Sequence, residues 1–329
     1  MLRCWAGHLW RRAGGARGLT RTTRGGWPSV GPMTKKRDSS TIPNADGVSV
    51  ACEPAGKRAK AAVPAKPPMR ILQWNVNGLR ALALKGTTLK DVVAREDPDV
   101  ICLSEVKCRE ADNPLKLPGY TCFFHESKLK KGGYAGIAMY SKSKPLDVIR
   151  GIGVADDEGR AVAIELEKLC VMCIYVPNSG SKLDRLGYRT TTWDKRLREF
   201  VAELSADKKK PIALVGDLNV AHLDIDIHDP IRNSLPRNKS AGFCDSEREN
   251  FSLLLKECNL VDVWRHKYPH ATVEGYTYYS HRFNMRAKQK GWRLDYVLLS
   301  DQIIDAVSEI RVLQETGSDH LPLVVDLSF

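Results

Sequence analysis

The chain has 329 residues, of which 43% are hydrophobic and 27% charged, and its formal net charge is +12. That length suits one α/β domain of about 250 residues with a large core, and no window approaches the roughly 18 apolar residues of a membrane-spanning helix. The charge is unevenly placed, because residues 1–68 hold 13 Lys and Arg against three acids and the other 261 residues hold 38 against 36. The basic balance therefore belongs mostly to the tail and does not by itself indicate a nucleic-acid partner.

The first 68 residues divide into two segments by composition. The first 37 residues contain nine Lys and Arg and no Asp or Glu, which predicts a mitochondrial transit peptide over residues 1–32, with a generic basic arm as the alternative. Residues 33–68 have few large apolar side chains, which indicates a disordered basic tether. It carries two clusters typical of nuclear import signals, at residues 35–37 and 57–60. A start at Met1 would then give a mitochondrial form and a start at Met33 a nuclear one.

The folded region begins at Met69. Helical spacing is clear over residues 191–204 and again from Ser246, which forms a capping-box pattern with Glu249. Apolar runs typical of strands recur at residues 71–74, 100–103, 121–124, 136–140, 161–166, 171–176, 212–215, 294–298 and 321–327. Strand hairpins mixed with covering helices predict an α/β fold, a four-layer α/β sandwich of two packed mixed β-sheets flanked by helices.

The nine cysteines are typical of reduced, buried thiols, because several of them lie inside apolar runs. Cys170 and Cys173 form a CxxC motif, but in a strand their side chains point to opposite faces. No second pair follows, so we expect two core cysteines here and no metal site.

Polar residues collect where the apolar runs end. Taken singly, each has an ordinary structural explanation as a turn, solvated or chance residue. If the strand ends converge at one edge of the sandwich, they offer carboxylates for a hard divalent cation, amides and a phenol for phosphate oxygens, and an Asp–His pair. That set suits hydrolysis of a phosphodiester. Its members are Asn75, Asn77, Glu105, Tyr175, Asn178, Asp217, Asn219, Asp295, Asp319 and His320.

The local motifs around these residues resemble, in order, those of the exonuclease III family of AP endonucleases. They are QWNVNGLRA (residues 73–81), SEVK (104–107), IYVPN (174–178), GDLNVAH (216–222), GWRLDYVLLS (291–300) and GSDHLP (317–322). The resemblance covers residues 69–329 and implies an endonuclease/exonuclease/phosphatase catalytic domain. It is sharpest to the animal major AP endonuclease, because NKSAGF (238–243) and GWRLD are similar to motifs of those enzymes.

The resemblance implies a role for each polar residue. Glu105 is a magnesium ligand with Asn77 and Asp319 nearby. Mn²⁺ is an alternative ion, and the number of metal ions, one or two, is left open. Asp217 orients or deprotonates the attacking water, with Tyr175 as the rival base. His320, polarised by Asp295, faces a phosphate oxygen. The scissile phosphate is held by Asn75, Tyr175, Asn178 and Asn219.

Substrate choice, by the same resemblance, depends on a slot lined by Tyr278, Trp292 and Leu294. An apolar slot accepts a flipped abasic sugar and excludes a normal nucleoside. Without the resemblance, the sequence alone would favour Tyr278, Trp292 and Leu294 as ordinary core residues. Tyr134 is expected to bind substrate as well. Further candidates for contacts with the DNA backbone are Arg80, Lys107, Arg185, Arg232, Arg237 and Lys239.

Among the departures from the animal pattern, two bear on metal binding and on redox activity. Asn77 stands where the animal enzymes have Asp, so we expect somewhat weaker binding of the cation. The animal enzyme is also linked to redox activation of transcription factors through a cysteine in the first strand. This chain has Leu72 there, and that activity is not predicted.

The predicted function is magnesium-dependent incision of DNA 5′ to abasic sites, leaving a 3′-hydroxyl, with 3′-phosphodiesterase and 3′-exonuclease activity in base excision repair. The expected partners are double-stranded DNA with abasic sites or blocked 3′ ends and other base excision repair proteins, and we expect a monomer without a membrane partner. A related nonspecific nuclease and an inactive nucleic-acid-binding module are the alternatives. The second is disfavoured because the acidic residues and the histidine are all present.

Overall fold

The computed structural model describes residues 68–84, 89–129, 133–153, 156–236 and 239–329. The predicted transit peptide and nearly all of the predicted tether lie outside these residues. The described helices are α1 (Leu79–Leu82), α2 (Leu89–Glu96), α3 (Asp194–Lys208), α4 (Pro230–Ser234), α5 (Asp245–Glu257) and α6 (Val263–Lys267). A π-helical turn, Tyr188–Trp193, leads into α3. Short 3₁₀ turns lie at Glu110–Asp112, Asp224–Asp226, Val273–Gly275, Arg282–Asn284 and Asp301–Ala306.

The described strands form two mixed sheets of six. They are β1 (Met69–Asn75), β2 (Val100–Ser104), β3 (Thr121–His125), β4 (Ile137–Ser141), β5 (Asp147–Arg150), β6 (Ala161–Glu165), β7 (Cys170–Tyr175), β8 (Ile212–Asp217), β9 (Leu260–Asp262), β10 (Asp295–Ser300), β11 (Val307–Val312) and β12 (Leu323–Leu327). The first sheet has the order β11-β12-β1-β2-β4-β3 and the second β5-β6-β7-β8-β10-β9. In each sheet the two central neighbours, β1 with β2 and β7 with β8, are parallel.

Side chains alternate between the two faces of each strand, so the apolar residues form three hydrophobic cores, one between the sheets and one on the outer face of each sheet. Ile71 and Cys102 of the first sheet pack with Cys173 and Val215 of the second in the core between the sheets. The outer face of the first sheet packs against α1 and α2, and that of the second packs against α3 and α5. The predicted four-layer α/β sandwich is confirmed.

The CxxC prediction agrees with the strand geometry. Cys173 lies in the core between the sheets, whereas Cys170 lies on the outer face under α3. The seven cysteines of the described residues are free thiols. None of the helices in the described ranges is both long enough and apolar enough to cross a bilayer.

The predicted start of α5 is wrong by two residues. Its N-cap is Cys244 and not Ser246. The Glu247 carboxylate, and not Glu249, accepts hydrogen bonds from the backbone N–H groups of Cys244 and Gly242 at 3.0 and 2.7 Å. Glu247 is buried beside the Arg189 guanidinium, and this ion pair fixes where the helix begins.

Candidate active site

Polar side chains from both sheets meet at one edge of the sandwich. Strand pairing places Asp295 opposite Asp217, and Tyr175 beside Asp217 on the other side. Asn75 ends β1 and its amide spans the two sheets, donating to Asp217 Oδ2 at 2.8 Å and to Glu105 Oε2 at 3.0 Å. The strand ends thus converge as the sequence predicted, and Asn75 connects the carboxylates.

Gly216 is required for this convergence. Its φ of 150° is open to it because it has no side chain, and a Cβ there would overlap the carbonyl oxygen of Ile174 on the adjacent strand. The close approach of β8 to β7 sets Asp217 beside Tyr175. Any other residue at position 216 would push the two strands apart at the site.

A buried row of three ionisable groups crosses the site. His320 Nδ1 lies 2.7 Å from Asp295 Oδ2, and its Nε2 lies 3.9 Å from Asp217 Oδ2. Burial works to lower the pKa of His320, but the carboxylates of Asp295 and Asp217 outweigh it and raise that pKa to about 10. Burial raises the pKa of Asp217 to about 7, against the effect of the His320 charge. His320 is therefore a cation at neutral pH, and Asp217 is a stronger base than an exposed carboxylate.

Asp217 is held from several sides. The backbone N–H of Asn219 donates to Asp217 Oδ1 at 2.8 Å. The Asn219 side chain donates to the carbonyl of Val176 and accepts from the Asn178 amide at 2.9 Å each. The amides of Asn75 and Asn219 therefore contact the Asp217 carboxylate directly, and Asn178 adjoins it through Asn219.

Tyr175 is buried, and the centroid of its ring lies 4.4 Å from the Arg160 guanidinium. Burial raises the pKa of Tyr175 well above its ordinary value, and the charge of Glu105 adds to the shift. The phenol is thus a donor at neutral pH, which favours Asp217 over Tyr175 as the base. Tyr134 is connected to Tyr175 through Arg160, which donates to the Tyr134 hydroxyl at 3.1 Å and stacks on the Tyr175 ring.

Two groups of side chains could hold a divalent cation. Asp217, Asp295 and His320 offer ligand atoms within 4.8 Å of one another, but both nitrogens of His320 already face carboxylates there, and an ion would replace the Asp–His hydrogen bond. The second group is partly exposed and offers oxygen atoms alone, from Glu105, Asn77 and Asp319, with the Asn77 amide donating to Asp319 at 2.9 Å. A hard cation such as Mg²⁺ prefers oxygen ligands and retains waters, so the second group fits it better.

The position beside Glu105 already holds a positive charge. Lys107 Nζ lies 2.7 Å from Glu105 Oε1 and donates to Asn77 Oδ1 at 2.6 Å. The side chain of Lys107 thus lies over Glu105, and its expected contact with the DNA backbone stays a prediction. Arg185 donates to Tyr134 and pairs with Glu158, and Arg237 lies outside the described residues.

The predicted slot lies next to His320. The rings of Tyr278 and His320 have centroids 5.0 Å apart, and Tyr278 forms isolated β-bridges to both Trp292 and His320. Trp292 packs against Ala221, Ile227 and Phe243. Leu294 is buried, and its carbonyl accepts from Leu218 directly after Asp217. An aromatic and aliphatic wall therefore flanks the Asp217–His320 pair.

Several residues that support the site were not singled out from the sequence. Gln73 donates to Asp295 Oδ1 at 2.9 Å, and the Thr277 hydroxyl accepts from the N–H of Asp295 at 3.0 Å. Ser318 donates to the carbonyl of Asn75 and accepts from the N–H of His320. A polar Gln73 in a core-facing strand position was the one available signal, because a buried amide requires a partner.

Known proteins resemble the chain over this whole region. A model of the Endonuclease/Exonuclease/phosphatase family matches residues 72–320. An exodeoxyribonuclease of Bacillus subtilis is 41% identical over 259 residues, which cover 78% of this chain and 98% of that protein. The DNA repair nuclease APEX1 of Danio rerio is 40% identical over 266 residues, covering 79% and 82%. The crystal structure of AP endonuclease LMAP from Leishmania major matches with a TM-score of 0.71 at 29% identity, over 80% of this chain and 88% of that one.

These matches confirm the resemblance inferred from the motifs and the expected enzyme class, a hydrolytic nuclease. They also agree with a divalent-metal requirement, for which the site offers the carboxylates described above. The chain belongs to the Endonuclease/Exonuclease/phosphatase family and, within it, to the exonuclease III-type AP endonucleases.

Proposed function

We propose that this protein is a DNA repair nuclease that incises the DNA backbone immediately 5′ to abasic sites and leaves a 3′-hydroxyl. The observation that carries the proposal is the Asp217 carboxylate, which lies between Asn75 and Asn219 on one side and the His320–Asp295 pair on the other. A base, phosphate donors and a cationic imidazole thus surround one point. This is the arrangement required for attack of water on a phosphodiester.

Asp217 acts as the general base, accepting a proton from the attacking water. Asn75, Asn178, Asn219 and the Tyr175 hydroxyl donate to the phosphate oxygens, whose negative charge grows in the transition state. His320 faces one of these oxygens as an imidazolium, and Asp295 keeps it protonated and oriented. Preorganised donors of this kind stabilise the transition state more than they stabilise the substrate.

Glu105, Asn77 and Asp319 are the residues that would hold the metal. Mg²⁺, with Mn²⁺ as an alternative, supplies positive charge for the phosphate and for the leaving 3′ oxygen when bound. Asn75 is positioned to couple this site to the base, because its amide donates to both Glu105 and Asp217.

The slot beside His320 selects the substrate. Tyr278, Trp292 and Leu294 offer a wall of aromatic and aliphatic surface, so a sugar without a base can enter and be desolvated. A blocked 3′ terminus presents a similar small group next to the phosphate. The same site would therefore act as a 3′-phosphodiesterase and a 3′-exonuclease.

Incision of a labelled duplex with one tetrahydrofuran abasic analogue tests the proposal, in MgCl₂ and in EDTA beside an intact duplex. The expected result is magnesium-dependent cutting 5′ to the analogue, a 3′-hydroxyl product and an intact control duplex. The Asp217→Asn variant serves as the inactive control. Equal cutting of both duplexes would mean a nonspecific nuclease, and DNA binding without cutting would mean a binding module.

Location in the cell is a separate part of the proposal. A product that starts at Met1 would carry the acid-free basic segment to mitochondria, and one that starts at Met33 would begin next to the basic cluster at residues 35–37. Fluorescent fusions of the two forms test this, and exclusion of the Met1 form from mitochondria would remove the mitochondrial half.

A further inference from the structure

Lys107 lies in a tightly fixed turn that follows β2. The N–H groups of Val106 and Lys107 donate to the carbonyls of Gly136 and Ala135 at 3.1 and 2.9 Å, and the Glu105 carbonyl accepts from Gly78 at 2.8 Å. Glu105 and Lys107 both have left-handed backbones, with φ of 57° and 49°. This conformation is strained for a non-glycine residue, and the turn persists because the surrounding backbone fixes it.

The turn directs the Lys107 ammonium onto the oxygens proposed to bind the metal. It contacts Glu105 Oε1 at 2.7 Å and Asn77 Oδ1 at 2.6 Å. The remaining oxygen of Glu105 accepts from Asn75, and Asn77 in turn donates to Asp319. One cation thus already lies among the ligand oxygens. The side chain of Lys107 is 32% exposed and that of Glu105 is 18% exposed, so the contact between them faces outward from the core.

A divalent cation and this ammonium compete for these oxygens. The ammonium occupies lone pairs that a metal would use, and two positive charges a few ångströms apart repel. Lysine has a flexible four-carbon stem, so its charge can leave without a change in the backbone. Asn77 strengthens the competition, because a neutral amide attracts the divalent ion less than a carboxylate does.

We propose that Lys107 is an internal counter-cation of the metal site, which holds Glu105 and Asn77 in place without metal and is displaced when a divalent cation binds. Lys107 is thus a positioning residue that sets the metal affinity. The inference rests on the metal site of the proposed function. It makes a statement about the protein without DNA, so it can be tested whether or not abasic DNA is the substrate.

Binding of Mn²⁺ to the full chain without DNA, followed by the electron paramagnetic resonance signal of free Mn²⁺, tests the displacement. Lys107→Met keeps most of the stem and removes the charge. We expect at least about tenfold tighter binding, since close like charges at a protein surface repel by more than the 1.4 kcal/mol equivalent to tenfold. Lys107→Arg keeps the charge and should show no gain. Lys142→Met is the matched control, because Lys142 pairs with Asp97 outside the site.

Thermal unfolding provides a second readout. Lys107→Met should melt below the parent protein in EDTA, because Glu105 then has no cation beside it, and MgCl₂ should raise its melting temperature more than that of the parent. If the Met variant does not fold, Lys107→Gln, which keeps a donor without the charge, replaces it. Equal or weaker Mn²⁺ binding by the uncharged variant, or an equal gain in Lys107→Arg, would overturn the proposal.

Discussion

Arg293 lies between two walls of the predicted slot, Trp292 and Leu294, and its side chain is almost completely buried. Its guanidinium donates to both oxygens of Asp226, at 2.7 and 3.0 Å, and of Asp262, at 3.1 and 2.7 Å. Its backbone N–H also donates to the carbonyl of Asp226 at 2.8 Å. One buried cation therefore connects the slot to the turn at Asp226 and to β9.

Replacing Arg293 with Met should destabilise the domain by about 3–5 kcal/mol, because removing one partner of a buried ion network leaves carboxylates without compensation. Arg265 still bonds to Asp226, so most of the loss comes from Asp262. The free energy of unfolding in urea measures the effect, and the melting temperature should fall by on the order of 10 °C. A loss below about 1 kcal/mol would refute the reasoning.

The same variant should lose selectivity. Without the guanidinium, the segment of Trp292 and Leu294 is held to Asp226 only by the backbone hydrogen bond of residue 293, so the ratio of kcat/KM for abasic over intact duplex should fall. Arg189→Met is the matched control, because Arg189 is equally buried beside Glu247 but contacts the Leu218 and Asn219 carbonyls and not the slot. We expect it to lose stability and rate while it keeps that ratio. Equal losses of selectivity in both variants would show that general destabilisation of the domain, and not the contacts of Arg293 at the slot, lowers the ratio.

Three further predictions follow from the site and its surroundings. Asp217→Asn should lower kcat by several orders of magnitude while DNA binding is largely kept, and a mild loss in single-turnover assays would contradict its role as the base. Asn77→Asp should tighten Mg²⁺ binding in calorimetry, because a second carboxylate joins Glu105. Burial raises the pKa of Asp156 from 3.8 to about 7, so the folded state favours the protonated carboxyl. The stability that this proton contributes is fully present below pH 3.8 and is lost as the pH rises through 7. Asp156→Asn should therefore gain about 2–3 kcal/mol in unfolding free energy relative to the parent between pH 5 and pH 8, and a constant difference across that range would refute the shift.

The fold was predictable because its central strands are apolar on both faces. Every apolar run identified in the sequence corresponds to a strand, with ends shifted by at most a few residues. The strands that were missed, β5, β9 and β11, lie at sheet edges. β5 and β11 are partly exposed and have the mixed sequences DVIR and VSEIRV, and β9 has only three residues, so their apolar signal is weak.

The positions of the candidate site were predictable from the strand ends, but the residues that support them were not. Asn75 ends β1 and Glu105 follows β2, its parallel neighbour, while Tyr175 and Asp217 end the parallel strands β7 and β8. Asp295 joins them because it begins β10, which runs antiparallel to β8. The partners of these residues come from distant segments. Thr277 and Ser318 look like ordinary turn residues until the chain brings them to Asp295 and Asn75. Their chemical roles remain predictions for the variants above.

Side-chain direction at the metal site depends on backbone angles that the sequence does not encode locally. Asparagine tolerates the left-handed conformation seen at Asn77 and Asn219, whereas Glu105 and Lys107 have no such preference. In an extended backbone the side chains of residues 105 and 107 would stand side by side on one face of the strand, and neither would be directed onto the other. The left-handed turn instead brings the ammonium to 2.7 Å from the carboxylate. The backbone conformation at residues 105 and 107 is thus what places the Lys107 charge on the proposed metal ligands.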